Sequence, residues 1–386
     1  MELVRLKAND YEEAMDFLDI VFSKAHCPHD FGSMLPIIYR PTDEHMNCNF
    51  AVRENGKIRG IVGLFPMEMK IGDQILTVGG IGGVSAHPKD KGKGWMKMLM
   101  KAAVDEMKAN GTDLSWLGGL RHRYQHYGYE VTGIMLEYDV SKTNLRHVYG
   151  SAEMPNLRFV PITESDTDYL RKAKELHDRQ PVHCVRSMED YWLFLTVVYT
   201  TPWAVLDAEG NMVGYLVLKQ DKTCITELFA ENDEILEQMV RLWVSQQEQE
   251  YVKVKLAPWQ DEIARRLGRL AEEFRLKDSG NYQIFNWDKV VGCLLNIKNQ
   301  CECLPDGELL LGIEEYGTLK ICVKNGEVSC KKTEAEAEVI LGSFAAMRTV
   351  FGKFPVHFVA DIPVHAKQIM NAWFPLPLCW MVQDHV

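Results

Sequence analysis

An internal repeat constrains the fold of this chain most. Two segments share a short strand, a polar turn that contains glycine and a second apolar strand, a pattern typical of a β-hairpin. They are residues 51–64 and 204–218. A further predicted strand and a long predicted helix follow each copy, at 75–86 and 95–110, and at 223–229 and 234–248. The matched order predicts two related α/β domains that arose by duplication.

The remaining residues predict a third, smaller domain. A chain of 386 residues corresponds to about two or three domains of roughly 150 residues each. Predicted strands lie at 308–315, 319–324 and 327–332, and predicted helices at 334–351 and 364–373. Asn325-Gly326 joins the last two strands and is a strong hairpin signal. We therefore expect an α+β domain after the two α/β domains.

Composition excludes several classes of protein. The chain is 46% hydrophobic and 25% charged, as in ordinary globular proteins. With 43 Lys and Arg against 54 Asp and Glu, the net charge of -11 disfavours nucleic acid as a partner. The apolar run at 373–382 contains two prolines and is too short to span a membrane, and residues 1–7 lack a signal-peptide core. These features predict a cytoplasmic protein with reduced cysteines.

The most informative segment, residues 84–100, lies between a predicted strand and a predicted helix. It contains Gly92 and Gly94 and a cluster of lysines. Unpaired amides and the positive end of the helix dipole favour an anion at such a junction. We expect a phosphate or pyrophosphate here, with a solvated helix start as the alternative. The segment lacks the Gly-Lys-Ser/Thr of a Walker loop and the three-glycine spacing of a Rossmann fingerprint.

This segment resembles motif A of the GNAT acetyltransferases, R/Q-x-x-G-x-G/A after a strand. Lys91, Gly94 and Met96 stand at the three defining positions. A second similarity follows a predicted strand at 113–117, because residues 121–130 resemble the short helix of that family, which ends in an aromatic-Gly-aromatic step. The two motifs occur in the family's order.

The whole chain resembles one group of these enzymes, the Eis acetyltransferases. The resemblance implies tandem GNAT-like mixed-sheet domains followed by a sterol-carrier-protein-like α+β domain. On this basis we predict a catalytic GNAT domain at 1–150, a degenerate GNAT-like domain at 151–286 and the sterol-carrier-like domain at 287–386. It also implies a homo-oligomer, a hexamer in those relatives.

The resemblance implies two catalytic groups. Tyr124 would donate the proton to the leaving thiolate, and a phenol with a pKa of about 10 suits that role. The C-terminal carboxylate of Val386 would accept the amine proton, with Asp384 and His385 as alternatives on the same tail. Packed aromatic rings and a solvated terminus are the structural alternatives.

The resemblance also implies which residues bind acetyl-CoA. The pantetheine arm would pair with the strand at Val84, Ser85 and Ala86, and an amide near Ser85 would polarise the thioester carbonyl. Gly119 and Leu120 would flank the thioester. The pyrophosphate would contact the loop and helix start, namely Lys91, Gly92, Lys93, Gly94, Trp95, Met96 and Lys97.

The sequence of the second repeat predicts that this repeat lacks a coenzyme A site. Its junction, residues 230–234, has no glycine and three carboxylates where a phosphate would lie. Like charge and the missing close approach should exclude coenzyme A there. We therefore expect one catalytic site per chain.

The sequence thus predicts an acetyl-CoA-dependent N-acetyltransferase that acts directly on a primary amine of a small cationic acceptor, which is aminoglycoside-, polyamine- or lysine-like. A non-catalytic acyl-CoA or lipid-binding sensor or carrier is the alternative. We expect no metal, because residues 26–29 and 301–303 lack a second pair of ligands at zinc-like spacing. No membrane partner is expected.

Overall fold

A computed structural model describes residues 1–25 and 28–386 of the protein. The chain divides into two compact units. The first unit contains Met1–Gly133, Gly280–Leu376 and His385–Val386. The second unit contains Ile134–Ser279 and Pro377–Asp384. Each unit is therefore assembled from segments that are distant in sequence.

The described residues form strands and α-helices joined by short turns and single 3-10 turns. The strands are β1 (Glu2–Arg5), β2 (Asn49–Glu54), β3 (Lys57–Ile71), β4 (Gln74–Ala86), β5 (Leu114–Leu117), β6 (Glu130–Thr132), β7 (Met135–Ser141), β8 (Arg158–Pro161), β9 (Val182–Cys184), β10 (Thr200–Leu206), β11 (Met212–Lys219), β12 (Cys224–Ala230), β13 (Tyr251–Leu256), β14 (Ala271–Lys277), β15 (Gly280–Ile284), β16 (Gly307–Ile313), β17 (Gly317–Lys324), β18 (Glu327–Thr333) and β19 (Val339–Leu341). The helices are α1 (Tyr11–Ala25), α2 (Phe31–Met34), α3 (Asp43–Met46), α4 (Trp95–Ala109), α5 (Arg121–Tyr124), α6 (Lys142–Tyr149), α7 (Thr167–Asp178), α8 (Tyr191–Thr196), α9 (Asp233–Gln246), α10 (Asp261–Gly268), α11 (Trp287–Glu302), α12 (Ser343–Phe351) and α13 (Val364–Trp373).

The first sheet of the first unit has the order β1-β2-β3-β4-β5-β15-β6. The central residues of β3, from Gly60 to Phe65, are buried on both faces of the sheet, because α1 packs against one face and α4 against the other. A strand covered on both faces needs a nearly continuous apolar run, which Ile61 to Phe65 supplies. β15 comes from much later in the chain and pairs antiparallel with both β5 and β6.

Helix α4 presents an apolar stripe to this sheet. Its buried residues recur at three- and four-residue steps, as expected for an amphipathic helix. They are Leu99, Met100, Ala103, Val104 and Met107. Together with residues of β2, β3, β4 and β5 they form a core cluster that also contains Tyr124 and Tyr129. The helix is thereby fixed beside the ends of β4 and β5.

The second unit repeats the hairpin, strand and helix. Its sheet has the order β14-β7-β13-β12-β11-β10-β8, and α9 packs on it through buried residues such as Met239 and Trp243. β7 lies in this sheet, whereas β15 lies in the first sheet. Two strands therefore lie in the other unit from the one that a division at residues 150 and 286 would give them, and those domain ranges stay a prediction.

The third sheet, β18-β17-β16-β19, belongs to the first unit. The predicted hairpin at Asn325-Gly326 is confirmed, because both residues adopt positive φ (53° and 80°) between β17 and β18. The helix predicted at 334–351 is wrong in its first half. Residues 339–341 form β19, which pairs in parallel with β16, and the helix begins only at Ser343.

None of the helices in the described part of the chain is long and apolar enough to cross a membrane.

Candidate functional site

The candidate site begins where β4 and β5 stop pairing. The two strands pair in parallel from Val78 and Leu114 up to Ile81 and Leu117. β5 then ends, whereas β4 continues to Ala86 and stays paired with β3 on its other edge. The β5-side edge of residues 82–86 therefore has no strand partner among the described residues. An extended ligand can pair with such a free edge.

The predicted strand residues lie on this free edge. Val84 and Ala86 are half-buried, and Ser85 is buried with its hydroxyl donating to the carbonyl oxygen of Gly83 at 3.0 Å. Because the Ser85 side chain is already bonded within the strand, its backbone is the part that can meet a ligand.

The loop after β4 has the backbone shape of an anion site. Gly92 and Gly94 adopt φ values of 90° and 81°, which side chains disfavour, and a Cβ on either glycine would meet no atom within 4 Å. Gly94 is the N-cap of α4 and supplies no side-chain cap. The first amides of the helix are thus left without a side-chain acceptor, beside open space. This cradle fits a pyrophosphate.

The predicted lysines have different roles. The ammonium of Lys93 pairs with Asp90 at 2.9 Å and with Glu54 at 3.0 Å, so it fastens the loop to the sheet. Asp90 accepts hydrogen bonds from Lys93 and Arg59, and these bonds lower the pKa of its carboxyl, although burial alone would raise it.

The remaining predicted positions in this segment divide into exposed and packed side chains. Lys91 and Lys97 are exposed, and no ion pair holds either of them within the described residues. Trp95 and Met96 are half-buried and pack against the α4 core. The two lysines can therefore meet an anion through their side chains, whereas Trp95 and Met96 offer backbone amides at the helix start.

Tyr124 lies at the end of α5 beside the end of β5. Its ring packs so closely on Gly119 (φ 118°) that a Cβ there would lie 2.8 Å from the ring. Gly119 and Leu120 are exposed, whereas Tyr124 is only 5% exposed. Burial raises the pKa of the Tyr124 phenol, with Arg123 opposing the shift. The hydroxyl therefore keeps its proton at neutral pH and can act as an acid.

A buried carboxylate holds the segment that carries Tyr124. Glu130 is fully buried and accepts hydrogen bonds from the Arg121 guanidinium, with Nη2 at 2.9 Å, and from Gln125 Nε2 at 2.8 Å. Burial alone would raise the pKa of Glu130, but these hydrogen bonds outweigh it and lower the pKa. Glu130 was not singled out from the sequence.

The chain terminus lies on β4 in the first unit. A Cβ at Gly82 would lie 2.7 Å from the carboxyl carbon of Val386, and one at Gly80 would lie 2.8 Å from its side chain. The ring of His385 lies over the Trp116 indole, with 4.8 Å between ring centroids. Only residues without side chains allow this approach, so the two glycines form a seat for the terminus.

The terminus and Tyr124 lie on opposite faces of the first sheet. A Cβ at Gly79 would meet Met107 of α4, whereas Gly80 and Gly82 meet Val386. Alternate residues of a strand face opposite sides, and Tyr124 packs in the α4 cluster. The gap after Ile81 and Leu117 thus has a phenol on one face and a carboxylate on the other.

Asp384, in the second unit, is engaged elsewhere. It is 3% exposed and accepts from Arg186 at 2.8 and 3.0 Å. Arg186 is itself 1% exposed and also pairs with Glu227 at 2.8 Å. This alternative base is therefore held in a buried ion pair.

Sequence reasoning also missed Asn281. This β15 residue is 2% exposed, and its Nδ2 donates to the carbonyl oxygens of Gly119 at 3.0 Å and Leu117 at 3.4 Å. More than 160 positions separate it from these partners in the sequence. No local pattern could have signalled the contact.

Metal-capable residues do not gather in the described part of the chain. No group of three or more His, Cys, Asp or Glu side chains there is placed to hold a metal ion. Cys301 and Cys303 are exposed at the end of α11. In the segment 26–29, His26 and Cys27 lie outside the described residues.

Comparison with known proteins agrees with this geometry. Residues 2–132 match the family model described as an acetyltransferase (GNAT) domain. No curated protein matches the chain by sequence.

Among solved structures, a GCN5-related N-acetyltransferase from Anabaena variabilis has a TM-score of 0.69 at 15% identity, with 100% of both chains covered. A GCN5-related N-acetyltransferase from Kribbella flavida gives 0.68 at 15% identity, covering 100% of this chain and 98% of its own. Eis1 from Mycobacterium abscessus gives 0.68 at 11% identity, with 100% of both chains covered. At these identities the likeness concerns the fold.

The domain match indicates the chemistry of residues 2–132, because acetyltransferase (GNAT) domains transfer an acyl group and use acetyl-CoA. The open glycine loop, the free β4 edge and the uncapped helix fit that cofactor.

Proposed function

We propose that this acyltransferase is an N-acetyltransferase that moves the acetyl group directly to a primary amine of a small cationic acceptor. The observation that carries the proposal is the pair of groups on opposite faces of the first sheet, Tyr124 and the Val386 carboxylate. The amine approaches from the face of the carboxylate, and the thiolate leaves on the face of the phenol. The Eis resemblance supports an aminoglycoside-, polyamine- or lysine-like acceptor, and the net charge of -11 favours a cation.

The free edge of β4 binds the cofactor arm. The backbone of Val84, Ser85 and Ala86 pairs with the pantetheine, and the amide near Ser85 polarises the thioester carbonyl. Gly119 and Leu120 flank the thioester. The amides from Gly92 to Lys97 hold the pyrophosphate, and Lys91 and Lys97 add charge. When bound, acetyl-CoA supplies an activated acetyl group.

Tyr124 donates its proton to the departing sulfur. Its raised pKa keeps the phenol neutral until that moment, and Glu130 holds the helix that carries it through Arg121 and Gln125. A phenol and a thiolate have comparable proton affinities, so the transfer is balanced.

The Val386 carboxylate accepts the proton of the attacking amine. It lies against Gly82, at the gap between β4 and β5. The burial of Asp384 in its ion pair with Arg186 weighs against that residue as the base. His385, over the Trp116 ring, is the alternative that stays open.

The other domains are assigned by the same resemblance. We place a degenerate GNAT-like domain at 151–286, a sterol-carrier-like domain at 287–386 and a cytoplasmic hexamer as the working assembly. The second junction contributes no site, because it carries carboxylates and no glycine. One active site per chain follows.

The test is coenzyme A release with a polyamine, an aminoglycoside and a lysine peptide. At least one amine should speed release well above hydrolysis. Tyr124→Phe should lower turnover about 100-fold or more, the usual worth of a general acid, without changing acetyl-CoA affinity. Tyr127→Phe, which removes the hydroxyl of a half-buried neighbour, should stay close to wild type. Tight acetyl-CoA binding without any amine-dependent release would instead indicate a sensor or carrier.

A further inference from the structure

The Asn281 side chain has one satisfied and one unsatisfied end. Its Nδ2 donates to the Gly119 and Leu117 carbonyl oxygens, whereas its Oδ1 is buried and has no hydrogen-bond partner among the residues described. Because both backbone partners are acceptors, the amino group must face them and the carbonyl oxygen must point away. A buried acceptor without a donor is unfavourable and calls for an explanation.

Asn281 lies beside the end of β5, on β15, which pairs with the edge of β5 that faces away from β4. It pairs across the sheet with Leu117, the last residue of β5. Directly paired residues present their side chains on the same face, and Leu117 packs in the cluster that contains Tyr124. The unpaired oxygen is therefore on the Tyr124 face, beside the segment from Leu117 to Gly119 that follows β5.

The chemistry of this oxygen selects its ligand. It can accept a hydrogen bond but cannot donate one, so it would repel a phosphate or a thiolate. The pantetheine arm of coenzyme A carries two secondary amides, whose N–H groups are the donors nearest to the thioester.

We propose that Asn281 is a cofactor-binding residue whose Oδ1 accepts a hydrogen bond from a pantetheine amide. Its Nδ2 holds the carbonyl oxygens of Leu117 and Gly119 in place at the same time. The inference rests on the proposed function, in which the pantetheine arm runs along β4.

Binding measurements on the full-length protein test this role without any amine. Asn281→Leu keeps the size of the side chain and removes both hydrogen-bonding groups. We expect its acetyl-CoA dissociation constant to rise roughly tenfold, the usual effect of one buried hydrogen bond. The affinity for 3′,5′-ADP, which lacks the pantetheine, should change less than about twofold.

Asn286→Leu is the matched control. Asn286 lies in the same unit and donates to Asp113 at 3.0 Å, so its loss perturbs packing without touching the gap. Both dissociation constants should stay unchanged. Equal weakening of both ligands in Asn281→Leu, or an unchanged acetyl-CoA affinity, would overturn the proposal.

A measurement on the wild-type protein covers the case in which Asn281→Leu does not fold. The side-chain amide resonances of Asn281 should shift when coenzyme A is added and stay in place with 3′,5′-ADP. An Asn281 signal that ignores both ligands would refute the contact. Neither experiment depends on turnover, so a failure to acetylate amines would be seen separately.

Discussion

Both units contain a junction at which a strand is followed by a helix, but only in the second unit does a side chain at the N-cap accept a hydrogen bond from the helix amides. In the first unit, α4 follows Gly94, which gives its amides no side-chain acceptor. In the second unit, α9 follows Asn232, whose side chain accepts from the Ile235 amide at 2.9 Å. When a side chain already accepts from the first N–H groups of a helix, few donors remain for a ligand. When no side chain does so, these N–H groups need another acceptor.

The gaps beside the two junctions differ in the same way. β12 pairs with β13 only at Cys224 and Ile225, so this sheet opens as the first one does. Here side chains of the second unit fill the opening, because Arg186 pairs with Glu227 of β12, and Gln383 donates to Thr226 at 2.9 Å. The second unit thus replaces a ligand with its own residues, and its junction carries negative charge instead of lysines.

The largest effect should come from removing Val386. The shortened chain ends at His385, so the new terminal carboxylate lies one residue further from Gly82. Turnover should fall about 100- to 10,000-fold, as expected for loss of a general base, with unchanged acetyl-CoA affinity. Val386→Ala keeps the terminal carboxylate and should retain turnover. Steady-state kinetics with calorimetry would check both, and equal activity of the two variants would disprove the role of the terminus.

Removal of Arg186 should show how firmly the second gap is filled. Arg186→Met leaves the buried carboxylates of Glu227 and Asp384 without their partner, which should lower the free energy of unfolding by roughly 3–5 kcal/mol. The exposed Arg265 also has two carboxylate partners, and Arg265→Met should lower the free energy of unfolding far less, because solvent screens exposed ion pairs. Denaturant unfolding measures both. Similar losses would mean that the buried network stabilises no more than a surface pair.

Substitution of Gly94 tests the open junction. Gly94→Ala introduces a side chain at φ 81°, where strain of about 1–2 kcal/mol is expected. Since relaxation would turn the helix amides away from the pyrophosphate, acetyl-CoA should bind roughly tenfold more weakly, as calorimetry would measure. Gly210→Ala carries the same strain at φ 88° in the second unit and should leave the acetyl-CoA affinity unaltered. If Gly94→Ala binds like wild type, the loop amides do not hold the pyrophosphate.

The smallest effect should come from the cap of α9. Asn232→Ala removes the acceptor for Ile235 and should lower the free energy of unfolding by about 1 kcal/mol. Calorimetry should still give one acetyl-CoA per chain, because Asp233 and Glu234 remain at the helix start. A second bound equivalent would show that the cap alone had closed this junction.

The sequence predicts features whose residues are neighbours along the chain. The β4–α4 loop and the Tyr124 helix could be found because each is a short continuous motif. Asn281 and the seat of Val386 on Gly82 could not, since strand pairing over long distances creates them. The predicted helix at 334–351 failed for a related reason. Its alternating Glu and Ala favour a helix locally, but pairing of β19 with β16 overrides that preference.

The insertion of β15 between β5 and β6 has a consequence for synthesis. The ribosome delivers β6 about 150 residues before β15, so for that interval the nascent first sheet has two unpaired strand edges. Such edges recruit other strands, which makes this the stage at which a chaperone would matter most. An expression fragment that stops near residue 150 would keep the defect permanently, and we expect it to aggregate.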